Sequence, residues 1–304
     1  MTGPPPLARS SVDRAAARRT DPRWLADAWR RSRVLLIDPG GRVLCTGDPA
    51  LVLMDPADAP VVPEPDRLFL GIGPDATPYF AVTGRLPEAP GARAVTLREV
   101  GAALDDRDAG LFTTAAALVH WHAAHRYAPA TGEPTVARDG GWLRVDRSGT
   151  QIFPRTDPAV IVLIHDGVPG PAGRCLLGHN AAWPPRGDGA RFFSTLAGFV
   201  EPGESAEAAV VREVFEEVGV TVSGLRYEAS QAWPFPGSLM LGFTGYADPA
   251  QPVRPDPSEI ADARWFTRAT IAALLADRPA GGEPVNLPGP TSIAHHLIRL
   301  WLVR

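Results

Sequence analysis

Between Gly198 and Val220 the chain reads GFVEPGESAEAAVVREVFEEVGV, and Arg212, Glu213, Glu216 and Glu217 fall within six positions of it. On a helix from Ser205 to Val218, Glu213 and Glu217 are four apart and share a face, with Glu216 as near neighbour. Like charges at that spacing repel and cost helix stability. A hard divalent cation offsets the repulsion, because carboxylate oxygens suit Mg2+ or Mn2+. Arg212 adds one positive charge that can lock a carboxylate by paired hydrogen bonds. The plainer alternative is a solvated acidic face. Ala208, Val211, Phe215 and Val218 are expected to form the apolar stripe of the helix. Gly198 and Gly203 permit backbone conformations that a side chain forbids. The turn before the helix can therefore present backbone carbonyls beside the carboxylates.

The elements around this helix are legible as well. PAVIVLIHDG (Pro158 to Gly167) reads as a buried strand and GRCLLGHN as a second; LMLGFTGYAD and DARWFT are later strands. ATIAALLAD and TSIAHHLIRLWLV read as helices. Strands mixed with helices, the acidic helix in their middle, predict an α/β/α sandwich. Upstream, RVLLIDPGGRVL (Arg33 to Leu44) has the grammar of a β-hairpin, repeated in RLFLGIGPDATPYFAV (Arg67 to Val82). AGLFTTAAALVHWHAAHRY (Ala109 to Tyr127) has helical spacing. These predict a small N-terminal α+β domain over 1–125 with no evident chemistry. Ala128 to Gly149 is polar, turn-rich and poor in core residues. Met1 to Pro22 is rich in Pro, Ser and Arg, and is expected to be mobile at its start.

Composition narrows the classes. A chain of 304 residues, 45% hydrophobic and 21% charged, suits a soluble protein of roughly two domains. A net charge of −4 gives no basic footprint for nucleic acid, so RNA contact would be local. Arg126, Arg138, Arg144 and Arg147 are candidates for such a patch. Two cysteines, Cys45 and Cys175, build neither a disulfide framework nor a cysteine zinc site. No apolar run is long enough to span a membrane and no secretory h-region is present, so a cytoplasmic protein without membrane contact is expected.

Taken in full, the spacing Gly198, five residues, Glu204, seven residues, Arg212-Glu213-Val214, one residue, Glu216-Glu217, one residue, Gly219-Val220 resembles the Nudix box. The resemblance implies an α+β chain whose C-terminal part, 154–304, is a Nudix hydrolase domain. It also implies hydrolysis of a nucleoside diphosphate linked to another moiety. The first and last glutamates of the set, here Glu213 and Glu217, are metal ligands by that resemblance, and the carbonyl of Ala197 often joins them. Metals would neutralise the pyrophosphate and lower the pKa of an attacking water.

A second stretch, SQAWPFPGSLMLGF (Ser230 to Phe243), narrows the substrate. Two prolines around Phe235 are expected to hold it extended and rigid. Trp233 and Phe235 offer flat faces, and Gln231 and Ser238 offer hydrogen bonds. It closely resembles the S-Q-P-W-P-F-P-x-S motif of the NADH pyrophosphatase, NudC-type branch, with Ala232 in place of one proline. The motif residues implied to bind substrate are Gln231, Ala232, Trp233, Pro234, Phe235, Pro236, Gly237 and Ser238. Phe153 in FPRTDPAVIVLI, Phe199, and Ala294 in SIAHHLI are implied to line the same site. EIADARWF resembles the segment carrying a further metal-binding glutamate, Glu259. Glu213, Glu216, Glu217 and Glu259 are thus the expected catalytic and metal-binding carboxylates, and Glu216 or Glu259 the expected proton acceptor.

The resemblance therefore implies metal-dependent cleavage of NAD(H) to NMN(H) and AMP, in a homodimer. The alternatives are removal of the NAD cap from RNA 5′ ends at the same site, hydrolysis of another dinucleotide such as ADP-ribose, and a catalytically silent nucleotide-sensing module, which a whole box disfavours. One departure is large. Where the branch carries a zinc ribbon of two C-x-x-C pairs, this chain has Ala128 and Thr131, then Val145 and Ser148. None supplies a thiolate, so no zinc is expected and 126–153 is read as a degenerate ribbon, with Trp142 as its anchor. His120, His122 and His125 are read as surface or packing residues.

Overall fold

The structure is a computed structural model that describes residues 3–183, 189–278 and 283–304. Residues 6–156 with 232–238 form one compact unit, and residues 157–231 with 239–304 another.

The N-terminal unit opens with α1 (Pro22–Arg30), capped by Asp21, whose carboxylate accepts the Trp24 N–H at 3.0 Å. Its sheet comprises β1 (Arg33–Ile37), β2 (Arg42–Thr46), β3 (Leu53–Met54), β4 (Leu68–Ile72), β5 (Pro78–Thr83) and β6 (Ala92–Thr96). The order is β4-β5-β1-β2-β6, with β3 beside β1. The pairs β1–β2 and β4–β5 are antiparallel, as the two hairpin readings require, while β1 and β5 run parallel. Short α2 (Leu97–Val100) and long α3 (Asp106–Ala124) follow. After the exposed Arg33, strand β1 is apolar from Val34 to Ile37 because both its faces are covered there. Leu35 and Ile37 join a core with Phe112 and Ala115 of α3, while Val34 and Leu36 pack with Trp29 of α1. The leading segment is tied down more than its composition suggested. Leu7 is buried, and Asp13 and Ile72 exchange two backbone hydrogen bonds of 2.9 and 2.8 Å. Met1 and Thr2 lie outside the described residues.

The polar segment after α3 forms a three-stranded sheet of β7 (Val136–Arg138), β8 (Leu143–Val145) and β9 (Gln151–Ile152). At the positions of the missing thiols, the Asp146 carboxylate gathers Thr131 Oγ1 at 3.4 Å, Ser148 Oγ at 2.7 Å and the Thr150 N–H at 2.8 Å. Hydrogen bonds thus link the two loops through this carboxylate. Trp142 donates its indole N–H to the Phe69 carbonyl at 2.7 Å. His122 bonds Gly141 O through Nε2 and Arg144 through Nδ1, and burial drives its pKa down to about 4. A neutral ring donating at Nε2 and accepting at Nδ1 satisfies both partners.

The C-terminal unit is built on β10 (Asp157–His165), β11 (Arg174–Asn180), β13 (Leu196–Phe199), β14 (Ser223–Trp233), β15 (Ser238–Tyr246) and β16 (Ile260–Thr267), with a separate pair of β12 (Arg191–Phe192) and β17 (Val285–Asn286). The order is β14-β15-β10-β11-β16, with β13 beside β10. Val160, Val162 and Ile164 of β10 pack with Val210 and Val214 of α4 (Ala206–Val218). Ile161 and Leu163 point to the other core, with Ile271 of α5 (Arg268–Leu274) and Leu297 and Ile298 of α6 (Ile293–Leu302). Period-two alternation along β10 thus feeds helices on both faces, giving the α/β/α sandwich.

The expected apolar stripe of α4 needs correction. Val211 is 40% and Phe215 60% exposed, while Ala209, Val210, Val214, Glu217 and Val218 are buried. The helix is rotated so that Glu217 joins the packed face. The stretch around Phe235 also differs from the extended expectation. Residues 234–237 form a turn joining β14 to β15, with a cis Phe235–Pro236 bond.

Candidate active site

Local chemistry places α4 against β13. Ser205 caps it by accepting the Ala208 N–H at 3.1 Å, and Gly219 ends it in the left-handed region at φ 69°. The last carbonyls are also used: Arg254 N–H bonds Val218 O at 2.8 Å and Asp256 N–H bonds Glu217 O at 3.0 Å. These two bonds pin the loop that carries Glu259 to the end of the helix.

Arg212 organises the acidic cluster. Its Nε and Nη2 grip both oxygens of Glu204 at 2.9 and 2.8 Å. Nη1 reaches Glu213 and Glu216, each at 2.9 Å, and Nη2 also bonds the Phe199 carbonyl at 2.9 Å. One guanidinium therefore fixes three carboxylates and the end of β13 through charge-assisted bonds. The paired-bond role foreseen for Arg212 falls on Glu204. Glu204 thus emerges as a positioning residue, and its place in the box was the available signal.

The Glu213 carboxylate lies across Gly198. A Cβ on that glycine would sit 1.9 Å from the carboxyl carbon. Glu217 lies deeper, at 4% exposure, accepting the Ala197 N–H, while its Oε2 is buried with no hydrogen-bond partner among the described residues. The Ala197 N–H thus serves Glu217, a contact separate from its carbonyl, which is the group expected to reach a metal. Burial raises the Glu217 pKa to about 8, and the charges of Glu213 and Glu259 push the same way. Glu213 is raised by burial against the opposing pull of Arg212, with Glu216 and Glu259 adding to the rise. Glu213, Glu217 and Glu259 therefore feel one another's charge. Glu216 acts on Glu213 as well, from a more open position, its side chain 56% exposed.

Among the described residues no three His, Cys, Asp or Glu side chains converge into a ready metal cage. Arg212 takes oxygens of Glu213 and Glu216 instead. The donor set still fits a hard divalent cation. An orphaned buried carboxylate oxygen, a raised pKa and the notch left by Gly198 are what an oxygen-ligated cation relieves or uses.

The other sequence-derived positions fall into two groups. Phe199 follows Gly198 with 60% of its surface exposed. Gln231 is 1% exposed, and its amide donates to the Thr291 carbonyl at 3.1 Å, just before buried Ala294 of α6. Its amide is thus spent within the protein. Ala232, Trp233, Pro234, Phe235, Pro236, Gly237 and Ser238 belong to the N-terminal unit, as does Phe153, which is 61% exposed. Trp233 and Phe235 pack edge to face, 4.9 Å apart. The Arg98 guanidinium covers both, 4.7 and 4.1 Å from the ring centroids, and His120 Nδ1 meets the Pro234 carbonyl at 2.7 Å. Arg98 and His120 were not foreseen as supports of this turn. Nothing local in the sequence links them to residues more than a hundred positions away.

A family profile described as "NUDIX domain" matches residues 155–285, and one described as "NADH pyrophosphatase-like rudimentary NUDIX domain" matches 28–121. Over 98% of its length the chain is 41% identical to a protein of Mycobacterium tuberculosis named NAD-capped RNA hydrolase NudC, covering 94% of it. Over 66% of its length it is 37% identical to a Homo sapiens protein named NAD-capped RNA hydrolase NUDT12, covering 43% of that longer protein.

Proposed function

This chain belongs to the Nudix hydrolases, in the NudC-type branch, and from that premise we propose that it hydrolyses the pyrophosphate of NAD(H) to NMN(H) and AMP. The observation that carries the reading is the carboxylate pair of half-buried Glu213 and buried Glu217, seated against Gly198 and Ala197 inside a complete box. In this reading Glu213, Glu217 and Glu259, with Glu216 and Ala197 beside them, hold Mg2+ or Mn2+. When bound, the cation neutralises pyrophosphate charge and makes a water nucleophilic at neutral pH. Arg212 holds the carboxylates at fixed angles, so little reorganisation is needed at the reacting step. Glu216 or Glu259, both exposed, takes the water's proton. By the branch likeness, Phe199, Gln231 and Ala294 of the C-terminal unit are substrate-binding residues, as are Phe153 and Trp233 of the N-terminal unit. Ala232, Pro234, Phe235, Pro236, Gly237 and Ser238 form the recognition turn. The branch likeness also supports a homodimer in the cytoplasm; among the described residues no helix is long and apolar enough to cross a membrane.

The second reading is removal of the NAD cap from RNA at the same site, favoured by the names of the two relatives. Rates on NADH, NAD+, ADP-ribose and an NAD-capped RNA, measured side by side, test both. Preference for the free dinucleotide supports the first reading, and preference for capped RNA the second. ADP-ribose as the best substrate contradicts both.

The Glu217 shift gives a pH prediction. The folded carboxyl binds its proton up to about pH 8. The unfolded one releases it near roughly 4.3. The folded state holds the extra proton in that window, so metal-free stability falls as pH rises from the lower value to the upper. A divalent cation displaces the proton. The Mg2+-induced rise in melting temperature is expected to grow from pH 6 to pH 8, against an EDTA control. A rise independent of pH contradicts the assignment.

Arg98 gives another. A cation–π contact of this kind is worth about 0.5–2 kcal/mol. Arg98→Ala is expected to loosen the recognition turn and raise KM for NAD(H) by about 2- to 30-fold, with a smaller change in kcat. An unchanged KM would remove the turn from substrate recognition.

A further inference from the structure

Within the N-terminal unit, a cavity of about 330 Å³ is lined by Arg19, Arg67 and Arg138 over a floor that includes Leu25 and Phe80. Two of these guanidiniums are held by stacking. Arg19 lies 3.6 Å from the Trp142 ring centroid and Arg67 4.4 Å from that of Trp29. Stacking fixes a guanidinium plane and leaves the N–H groups on its edge to bond in that plane. In both, Nε is buried with no hydrogen-bond partner among the described residues. Arg67 pairs with the exposed Glu64 at 3.9 Å, which is beyond hydrogen-bond length. Arg19 donates from Nη2 to the Arg14 carbonyl at 3.2 Å, and burial with the neighbouring Arg14 charge lowers its pKa. Glu64 and Asp139 also line the cavity, so its charge is only partly neutralised from within.

Partly buried cations with unused donors are costly unless an anion meets them. The volume is at the low end of small-molecule sites and suits a mononucleotide. An apolar floor beneath the arginines suits a flat base more than a bare oxyanion. We infer that this cavity, lined by Arg19 and Arg67, is a second nucleotide site that binds a nucleoside 5′-monophosphate, phosphate against the arginines and base against Leu25. The ligand is either a free mononucleotide or a nucleotide of an RNA chain. The site lies wholly within the N-terminal unit, which holds none of the catalytic carboxylates.

Calorimetric titration of the full chain in EDTA, with AMP, inorganic phosphate and a short 5′-phosphorylated RNA in separate arms, tests it. AMP or the RNA is expected to bind, and Arg67→Gln and Arg19→Gln are each expected to weaken that binding at least tenfold. Turnover of NADH in the two variants is expected to stay within twofold of the parent, separating this site from the catalytic one. AMP binding tighter than RNA identifies a free nucleotide, and the reverse a chain nucleotide. Phosphate binding as tightly as AMP would overturn the nucleoside assignment. Arginines that only brace Trp142 and Trp29 would lower the melting temperature without changing AMP or RNA affinity, and that result, or no binding in any arm, would overturn the site.

Discussion

Replacing Glu217 by Gln is expected to lower NAD(H) turnover about 10³-fold while leaving the protein folded. The substitution keeps the shape and keeps an oxygen for the Ala197 N–H, but removes the charge. That charge is unfavourable without metal: Glu217 is 4% exposed, its pKa is raised to about 8, and Oε2 has no partner among the described residues. The metal-free variant should therefore melt no lower than the parent above pH 8, where the parent carries the buried charge. Catalysis has the opposite requirement. A cation at this site supplies several kcal/mol of transition-state charge stabilisation, and each 1.36 kcal/mol is tenfold in rate, which gives about three decades. Steady-state kinetics with melting curves in EDTA and in Mg2+ check both halves. Near-normal turnover would remove Glu217 from the metal-binding set.

Gly198→Ala is expected to cost about 10²-fold in turnover with a melting temperature shift of a few degrees at most. Gly198 lies in β13 with no positive φ, so alanine is conformationally acceptable there. The new methyl would meet the Glu213 carboxylate, with Oε1 at 2.0 Å and Oε2 at 2.2 Å. The obstacle is the far end of a flexible side chain, so Glu213 swings aside and the backbone holds. Displacement breaks its bond from Arg212 and removes one proposed metal donor, a loss in the range seen when a metal's supporting residues are altered. An apparent Mg2+ affinity weakened in parallel with turnover would fit. A large fall in stability with intact Mg2+ response would mean that the glycine serves packing.

Much of this site is local and was therefore legible. The Ser205 cap, the Gly219 stop and the four-residue spacing of Glu213 and Glu217 are one-dimensional signals. The hairpins at Arg33 and Arg67 carry their own turn chemistry. The phase of α4 was not legible, because its valines and alanines satisfy more than one stripe, and packing on β10 selects Val210 and Val214. Nor did spacing reveal that Arg212 spans Glu204, Glu213, Glu216 and the Phe199 carbonyl, since a fork's partners depend on where β13 ends. Tertiary contacts account for the rest. Asp146 stands between Thr131 and Ser148, and the recognition turn is held by Arg98 and by His120, 114 residues from its partner Pro234.

The most direct test of the central claim is product identification by mass after incubation of the purified chain with NADH in ¹⁸O-labelled water, with Mg2+ or Mn2+ and with EDTA. The account predicts reduced NMN and AMP in equal amounts, one of them carrying a single ¹⁸O on its phosphate, only when the divalent cation is present. Intact NADH under all conditions, or cleavage that persists in EDTA, would contradict it.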